Sequence, residues 1–95
     1  MTAYVIVDID VTDPAGYEEY KKLAPPAVQR YGGRYLARGG PSETLEGEWA
    51  VNRLVILEFP SGERARAWLA SPEYAPAKVL RHKYARTKMV LVDGV

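Results

Sequence analysis

The chain has 95 residues, of which 47% are hydrophobic and 26% charged. This balance is ordinary for a globular protein, and we expect a single domain over residues 1–95. The net charge of +1 argues against a dedicated nucleic-acid or membrane-surface protein, since such proteins carry a large basic excess. The absence of cysteine excludes disulfides, thiolate metal sites and thiol nucleophiles. The first 14 residues lack the features of a signal peptide or anchor, so we expect a cytoplasmic protein.

The first strand is predicted over residues 3–11, where apolar residues alternate in a stretch rich in β-branched side chains. Asp13 and Pro14 then predict a helix start, as N-cap and first helical residue. The helix carries an apolar stripe of Tyr17, Tyr20, Ala24, Ala27, Val28 and Tyr31. Pro25 and Pro26 predict a kink or a break in it. Gly32 and Gly33 are typical of its end.

Two further strands are predicted over Arg34 to Arg38 and Arg53 to Phe59. The segment between them is long for a hairpin loop, so part of it is predicted to form extra strand or to pack against the body.

The remaining elements are helical pieces and a last strand. Ser61 predicts the N-cap of a second helix, and Ser71-Pro72-Glu73 predicts a further helical start that Pro76 could delay. The apolar stripe of this later piece is Tyr74, Ala77, Leu80 and Tyr84. The last strand is predicted over residues 87–92.

The predicted order is strand, helix, strand, strand, helix, strand. Two β-α-β units with a central hairpin define a ferredoxin-like α+β sandwich, an antiparallel sheet with helices on one face. A monomer of this kind should have a polar outer sheet face.

The predicted outer face is instead largely apolar. We expect one set of strand residues to face the helices: Val5, Val7, Ile9, Val55, Leu57, Phe59, Val90 and Val92. The opposite set is Tyr4, Ile6, Asp8, Leu54, Ile56, Glu58, Met89, Leu91 and Asp93. Such a patch exceeds what monomers usually expose, which predicts a homodimer through the sheet face. A partner protein or a misassigned strand face would be the alternative.

Several segments resemble a known family. They are AYVIVDIDVTDPAGYEEY (3–20), YGGRYLARGG (31–40), LEGEW (45–49), RLVILEFPS (53–61), AWLASPEY (67–74) and KMVLVDG (88–94). The chain is similar to the domain of unknown function 1330 family, small bacterial proteins of the dimeric α+β barrel superfamily. The resemblance implies a ferredoxin-like protomer whose sheets pack face to face in a dimer. The family has no settled activity, so the resemblance assigns no catalytic residue. Relatives by fold include cofactor-independent monooxygenases, haem-degrading enzymes and lactone isomerases.

Asp8 and Glu58 are the candidate catalytic residues. If the first and third strands are an adjacent parallel pair, the two carboxylates lie near the same end of one face. Two close carboxylates in a partly dry site could serve as general acid and base. The alternative is that each forms an ion pair with an arginine or lysine across a dimer.

Arg38 and Arg53 are candidate ligand-binding residues at the joined ends of the central hairpin. Two guanidinium groups suit a small carboxylate ligand through forked hydrogen bonds. The alternative is that they bind Glu46, Glu48 or Glu58 structurally.

Aromatic residues complete the candidate ligand-binding set. Tyr17 and Tyr20 lie on the stripe of the first helix, which usually means core, although phenols could also line a polar-tipped pocket. Trp68 is predicted to be core, and Trp49 to be a pocket wall or an interface anchor.

Other site types have little support. His82, the only histidine, is predicted to lie on a solvated basic face with Lys78, Arg81, Lys83 and Arg86, so no metal site and no cofactor is expected. The alternative, if the helical wheel is wrong, is that His82 is a single axial haem ligand. The glycine-aromatic block of RNA-recognition modules is absent, which argues against nucleic-acid binding.

Two hypotheses therefore follow from the sequence. In one, each subunit of a dimer binds or converts a small organic acid or ring compound between the first helix and the sheet, without metal or organic cofactor. In the other, the protein is a non-catalytic module that binds a metabolite or a partner.

Overall fold

The structure is a computed structural model that describes residues 1–95. Its strands are β1 (Ala3–Val11), β2 (Arg34–Arg38), β3 (Arg53–Phe59) and β4 (Ala85–Asp93), and its helices are α1 (Pro14–Arg30), α2 (Gly62–Leu69) and α3 (Ala75–Tyr84). The strands form one antiparallel sheet in the order β2-β3-β1-β4. The ferredoxin-like α+β fold predicted from the order of elements is confirmed.

Local signals in the sequence set both ends of α1. The Asp13 carboxylate accepts a hydrogen bond from the Gly16 N–H at 3.1 Å, as an N-cap does. At the other end Gly32 has a φ of 79°, and the Gly32 and Gly33 N–H groups donate to the carbonyls of Gln29 and Val28. This is the Schellman arrangement, which needs the left-handed conformation that glycine adopts at little cost.

The predicted break of α1 at its prolines is wrong, because one helix runs from Pro14 to Arg30. Pro25 removes the hydrogen bond that the Lys21 carbonyl would accept within the helix. That carbonyl accepts instead from Arg38 Nη2 at 3.0 Å. A side chain from β2 thus supplies the donor that the proline lacks.

The later helices begin at serine-based turns. Ser61 Oγ accepts from the Arg64 N–H at 3.1 Å and caps α2, as predicted. Ser71 Oγ accepts from the Tyr74 N–H at 3.1 Å, but α3 itself begins only at Ala75. Ser71 therefore builds the turn between the two helices and does not cap α3.

The core lies between the helices and one face of the sheet. An aromatic row from β3, α2 and the following turn fills its centre: the rings of Phe59 and Trp68 are 5.3 Å apart and those of Trp68 and Tyr74 are 4.5 Å apart. All three side chains are buried. The other buried sheet residues on this side are Ala3, Val5, Val7, Ile9, Val55, Leu57 and Ala85.

The predicted faces of β4 are reversed in the structure. Met89 is the register partner of Val7 and Leu91 that of Val5, which places both on the helix side. Val90 and Val92 therefore lie on the open face. The pattern could not decide this point, because β4 is apolar on both faces and a slip of one residue exchanges them.

The segment that joins β2 to β3 contains no strand, so the first of the two predicted alternatives, an extra strand, is wrong. Residues 40–50 are all exposed. Two contacts organise it: Thr44 Oγ1 donates to the Trp49 carbonyl at 2.6 Å, and the Asn52 N–H donates to Asp8 Oδ1 at 3.1 Å. None of the three helices is both long and apolar enough to cross a bilayer.

Candidate ligand-binding site

A small cavity lies between α1, α3 and the helix side of the sheet. Its enclosed volume is about 20 Å³, which is room for roughly one water molecule. Eight of its lining residues carry polar atoms: Tyr17, Tyr20, Lys21, Tyr35, Arg38, Arg53, Trp68 and Arg81. The rest of the lining is aliphatic: Val7, Ile9, Val55, Leu57 and Met89. Four of the five residues predicted to bind ligand meet here, namely Tyr17, Tyr20, Arg38 and Arg53.

Arg53 is held against the backbone at the start of β3. It is the register partner of Ile9 and so lies on the helix side of the sheet. Its Nη2 donates to the Arg38 carbonyl at 3.4 Å, and its guanidinium lies where a side chain on Gly39 would be. Gly39 has a φ of 73°, so both its conformation and this close approach favour glycine. The Arg53 Nε group is buried and has no partner.

Arg38 reaches the cavity because of an irregularity in β2. Tyr35 is the register partner of Leu57 and Ala37 that of Ile56, which leaves Leu36 as an extra, bulged residue. The bulge reverses the alternation and turns Arg38 from the open face to the helix side. There it donates to the Lys21 carbonyl and lies 4.6 Å above the Tyr35 ring.

Arg81 is a third cavity arginine, and its predicted place on a solvated basic face is wrong. Its side chain is only 4% exposed. Its Nε donates to the Tyr74 hydroxyl at 3.2 Å, and its Nη1 donates to Thr87 Oγ1. The signal was in the sequence, because Tyr74, Ala77, Arg81 and Tyr84 follow one another at helical spacings of three and four residues.

The cavity tyrosines are uncharged at neutral pH. Burial raises the pKa of Tyr17 and raises the pKa of Tyr20 far above the ordinary phenol value. Burial also raises the pKa of Tyr35 to about 12. The Tyr20 and Tyr74 hydroxyls are 2.7 Å apart and share a hydrogen bond. These phenols can donate hydrogen bonds to a ligand, and because they stay protonated at neutral pH they are not available as bases there.

None of the three cavity arginines has a carboxylate partner. The ion pairs of the chain are Lys21–Glu18, Lys22–Glu19, Arg30–Glu73 and Arg34–Glu58. The predicted alternative, that Glu46, Glu48 or Glu58 neutralises Arg38 and Arg53, is therefore wrong in this structure. Arg81 is buried and Arg53 is half-buried, and cations in such positions are usually paired with an anion, so this cluster can accept one from outside.

Asp8 and Glu58 do not come together as predicted. β1 and β3 are antiparallel, with Tyr4 opposite Glu58 and Asp8 opposite Leu54. The two carboxylates lie on the same open face but about 13 Å apart along the strands. The premise of a parallel pair is wrong because each β-α-β unit places its two parallel strands on either side of an antiparallel one. Glu58 accepts from Arg34 Nε at 2.8 Å within the same chain.

Trp49 belongs to a different region from the arginines. It is 58% exposed and lines a wide groove of about 730 Å³ over the open sheet face, with Asp8 and Asp10. Other residues of this groove include Ile6, Leu54 and Val90. Trp49 thus stays a predicted interface anchor and does not line the arginine cavity.

The structure holds no group of three histidine, cysteine or carboxylate side chains that could bind a metal ion. His82 is exposed, as predicted.

The sheet order and the paired crossovers define a ferredoxin-like α+β protein with a cationic cavity under its helices. The family model for a domain of unknown function (DUF1330) matches residues 2–95, and the chain belongs to that family. The resemblance seen in the sequence is confirmed. No curated protein matches the sequence.

Solved structures support the same fold. A protein of unknown function from Rhodopseudomonas palustris is 18% identical with a TM-score of 0.76, over 99% of this chain and 82% of that one. A dimeric ferredoxin-like protein of unknown function from Jannaschia is 13% identical with a TM-score of 0.72, over 99% and 100%. SnoaB, a cofactor-independent oxygenase from Streptomyces nogalater, is 15% identical with a TM-score of 0.56, over 99% and 92%.

Proposed function

We propose that the chain binds the carboxylate of a small organic acid at the arginine cavity. The observation that carries the proposal is the convergence of Arg38, Arg53 and Arg81 on one cavity without a carboxylate partner. Guanidinium groups bind carboxylates through two parallel hydrogen bonds. The aliphatic and aromatic walls of the cavity suit the carbon skeleton of such an acid.

The ligand enters from the side of Arg38, which is exposed although it lines the cavity. The enclosed space of about 20 Å³ is smaller than any organic acid. Binding therefore requires the Arg38 side chain to leave the Lys21 carbonyl and turn toward the ligand. A long, exposed side chain changes its rotamer at little cost.

The geometry supports binding rather than proton-transfer chemistry. The two predicted catalytic carboxylates, Asp8 and Glu58, lie on the open face of the sheet, away from the cavity. The phenols that do line the cavity are protonated at neutral pH. We therefore assign no general base to the bound acid.

We also propose that the chain forms a homodimer through its open sheet face. The face exposes apolar residues at its centre and along β4, with Val90 59% and Val92 47% exposed. A contiguous apolar face of this kind is typical of an interface. The Jannaschia protein, which has the same fold, is dimeric. Light scattering at micromolar concentration should give twice the mass of the chain, and a monomer would contradict the proposal.

Calorimetry tests the ligand site with matched pairs of small molecules. Propanoate and pentanoate should bind, and the uncharged amides of the same length should bind at least tenfold more weakly, because they cannot accept a forked hydrogen bond from a guanidinium as an anion does. Arg38→Gln and Arg53→Gln should each weaken binding of the acids by tenfold or more.

Arg34→Gln is the matched control, since Arg34 lies on the same strand as Arg38 but pairs with Glu58 on the open face. The control should bind the acids as the wild type does. Wild-type affinity in both cavity variants, at unchanged melting temperature, would contradict the proposed site.

A further inference from the structure

Two buried polar groups in the chain have no hydrogen-bond partner: Arg53 Nε and Trp68 Nε1. Both are donors. Their residues come from different elements, β3 and α2, and both line the arginine cavity. A buried donor without a partner destabilises the folded state, so native proteins seldom leave one unless something binds there.

The proposed carboxylate site does not by itself explain why residue 68 is a tryptophan. Its side chain is 2% exposed, and its ring contacts the rings of Phe59 and Tyr74, so packing accounts for the ring. Phenylalanine would supply a similar packing surface without an unpaired N–H. Trp68 lines the arginine cavity and also a second hollow of about 170 Å³ beside β4, and its indole N–H has no partner within the chain.

The polar lining of the cavity is also one-sided. It consists of arginine, lysine, tyrosine and tryptophan side chains, and it contains no carboxylate, amide or histidine. Arginine, lysine and indole groups donate hydrogen bonds and cannot accept them, whereas the tyrosine hydroxyls can do both. A ligand that presents acceptors at more than one position would complement this lining.

We infer that the ligand is an oxo acid, a carboxylic acid with a second, uncharged carbonyl group, and that Trp68 Nε1 donates to this carbonyl. The inference rests on the proposed function, because the carboxylate is the group that binds the arginines. Trp68 then acts as a specificity-determining residue that separates oxo acids from plain acids of the same length. Sites that hydrogen-bond a ligand group discriminate strongly against analogues that lack it.

Nuclear magnetic resonance of the ¹⁵N-labelled protein can test this directly. The chain has two tryptophans, so two indole N–H resonances are expected, and Trp49→Phe identifies the Trp68 resonance by removing the other one. The probes are two pairs of acids: pyruvate with propanoate, and 4-oxopentanoate with pentanoate. The two pairs place the carbonyl at different distances from the carboxylate.

The expected result has three parts. All binding acids shift the backbone resonances of Arg38 and Arg53, at least one oxo acid moves the Trp68 indole proton downfield, and its plain partner does not. That oxo acid should bind about tenfold more tightly than its partner. In Trp68→Phe, a variant that keeps an aromatic ring, the two members of the pair should bind equally.

Two different results would overturn the inference, and they are distinguishable. If the acids bind but the Trp68 indole proton responds identically to both members of each pair, Trp68 has no role in specificity and the proposed carboxylate site survives. If no acid shifts the Arg38 and Arg53 resonances, the proposed function itself fails. The indole measurement uses the wild-type chain, so it does not depend on the folding of Trp68→Phe.

Discussion

The two faces of the sheet both carry apolar residues, but the helices of the chain bury only one of them. Along β1, Val5 and Val7 face the helices and are buried, whereas Ile6 between them faces the open side and is only partly covered. The open face is apolar at its centre and carries charged residues near its ends. An apolar residue in a strand therefore indicates that its face of the sheet is to be buried. It does not indicate whether the helices of the same chain or a second subunit bury it.

The two proposed functions, ligand binding and dimer formation, are assigned to opposite faces of the sheet. The helix-covered face holds the arginine cavity, whose cations lack a carboxylate partner within the chain. The open face holds the wide groove with Asp8 and Trp49, which fits a role in association. Substitutions on each face should thus change different properties, and the following experiments test that separation.

The largest expected effect is on the helix-covered face. Phe59→Ala should lower the free energy of unfolding by about 3–5 kcal/mol, because it removes a fully buried ring beside Trp68 and leaves a cavity. Urea denaturation measures the change. Leu45→Ala is the control, because Leu45 is exposed in the long segment before β3 and its loss should change stability by less than about 0.5 kcal/mol. Equal effects of the two substitutions would mean that the aromatic row is not the core.

The second effect concerns the open face. Ile56→Asp places a charge opposite Ile6 at the centre of that face, and it should raise the dimer dissociation constant by about 100-fold or more, because the charge must lose its water on association. Sedimentation equilibrium measures the constant.

Val79→Asp provides the matched control for the open face, since Val79 is an exposed apolar residue on α3. It should leave the dissociation constant unchanged. If Val79→Asp dissociates the dimer and Ile56→Asp does not, association uses the helix side and the proposed interface is wrong.

The smallest expected effect concerns the buried phenols in alkaline solution. Because the folded protein raises the pKa of Tyr20, the stability from its neutral phenol is fully present below the unfolded pKa of 10.0 and declines as the pH rises above it. We expect Tyr20 to account for about 1 kcal/mol of lost stability between pH 10 and 11.

Urea denaturation at several alkaline pH values can isolate this contribution. Tyr20→Phe should lose stability less steeply than the wild type above pH 10, whatever its stability at pH 7. Parallel pH profiles for the two proteins would show that Tyr20 titrates normally and that its hydroxyl is not held in a dry site.

Much of the fold could be predicted from the sequence because its signals are local. Signals from residues adjacent in sequence predict the bounds of β1, β2 and β3, the caps at Asp13 and Ser61, and the end of α1 at Gly32. The faces of β4 could not be predicted, because they depend on its register with β1. The hydrogen bond that the Lys21 carbonyl accepts in place of the one removed by Pro25 comes from Arg38, a residue that is distant in sequence.

The candidate site shows the same limit. Tyr17 and Tyr20 could be placed from the helical stripe alone. The central hairpin alone predicts that Arg38 lies near Arg53. The direction of the Arg38 side chain depends on the bulge at Leu36, which no pattern in the sequence predicts. The prediction that Asp8 and Glu58 lie together depends on a parallel pairing of β1 and β3. The two strands are antiparallel, and this pairing separates the two carboxylates.

The bulge at Leu36 also bears on how the chain can aggregate. β2 is an edge strand, and an unpaired edge offers its backbone groups to any strand that meets it. The extra residue interrupts the regular spacing of those groups, and the arginines at both ends of this five-residue strand add repulsion between copies. We therefore expect the bulge that turns Arg38 toward the cavity also to disfavour growth of the sheet at this edge.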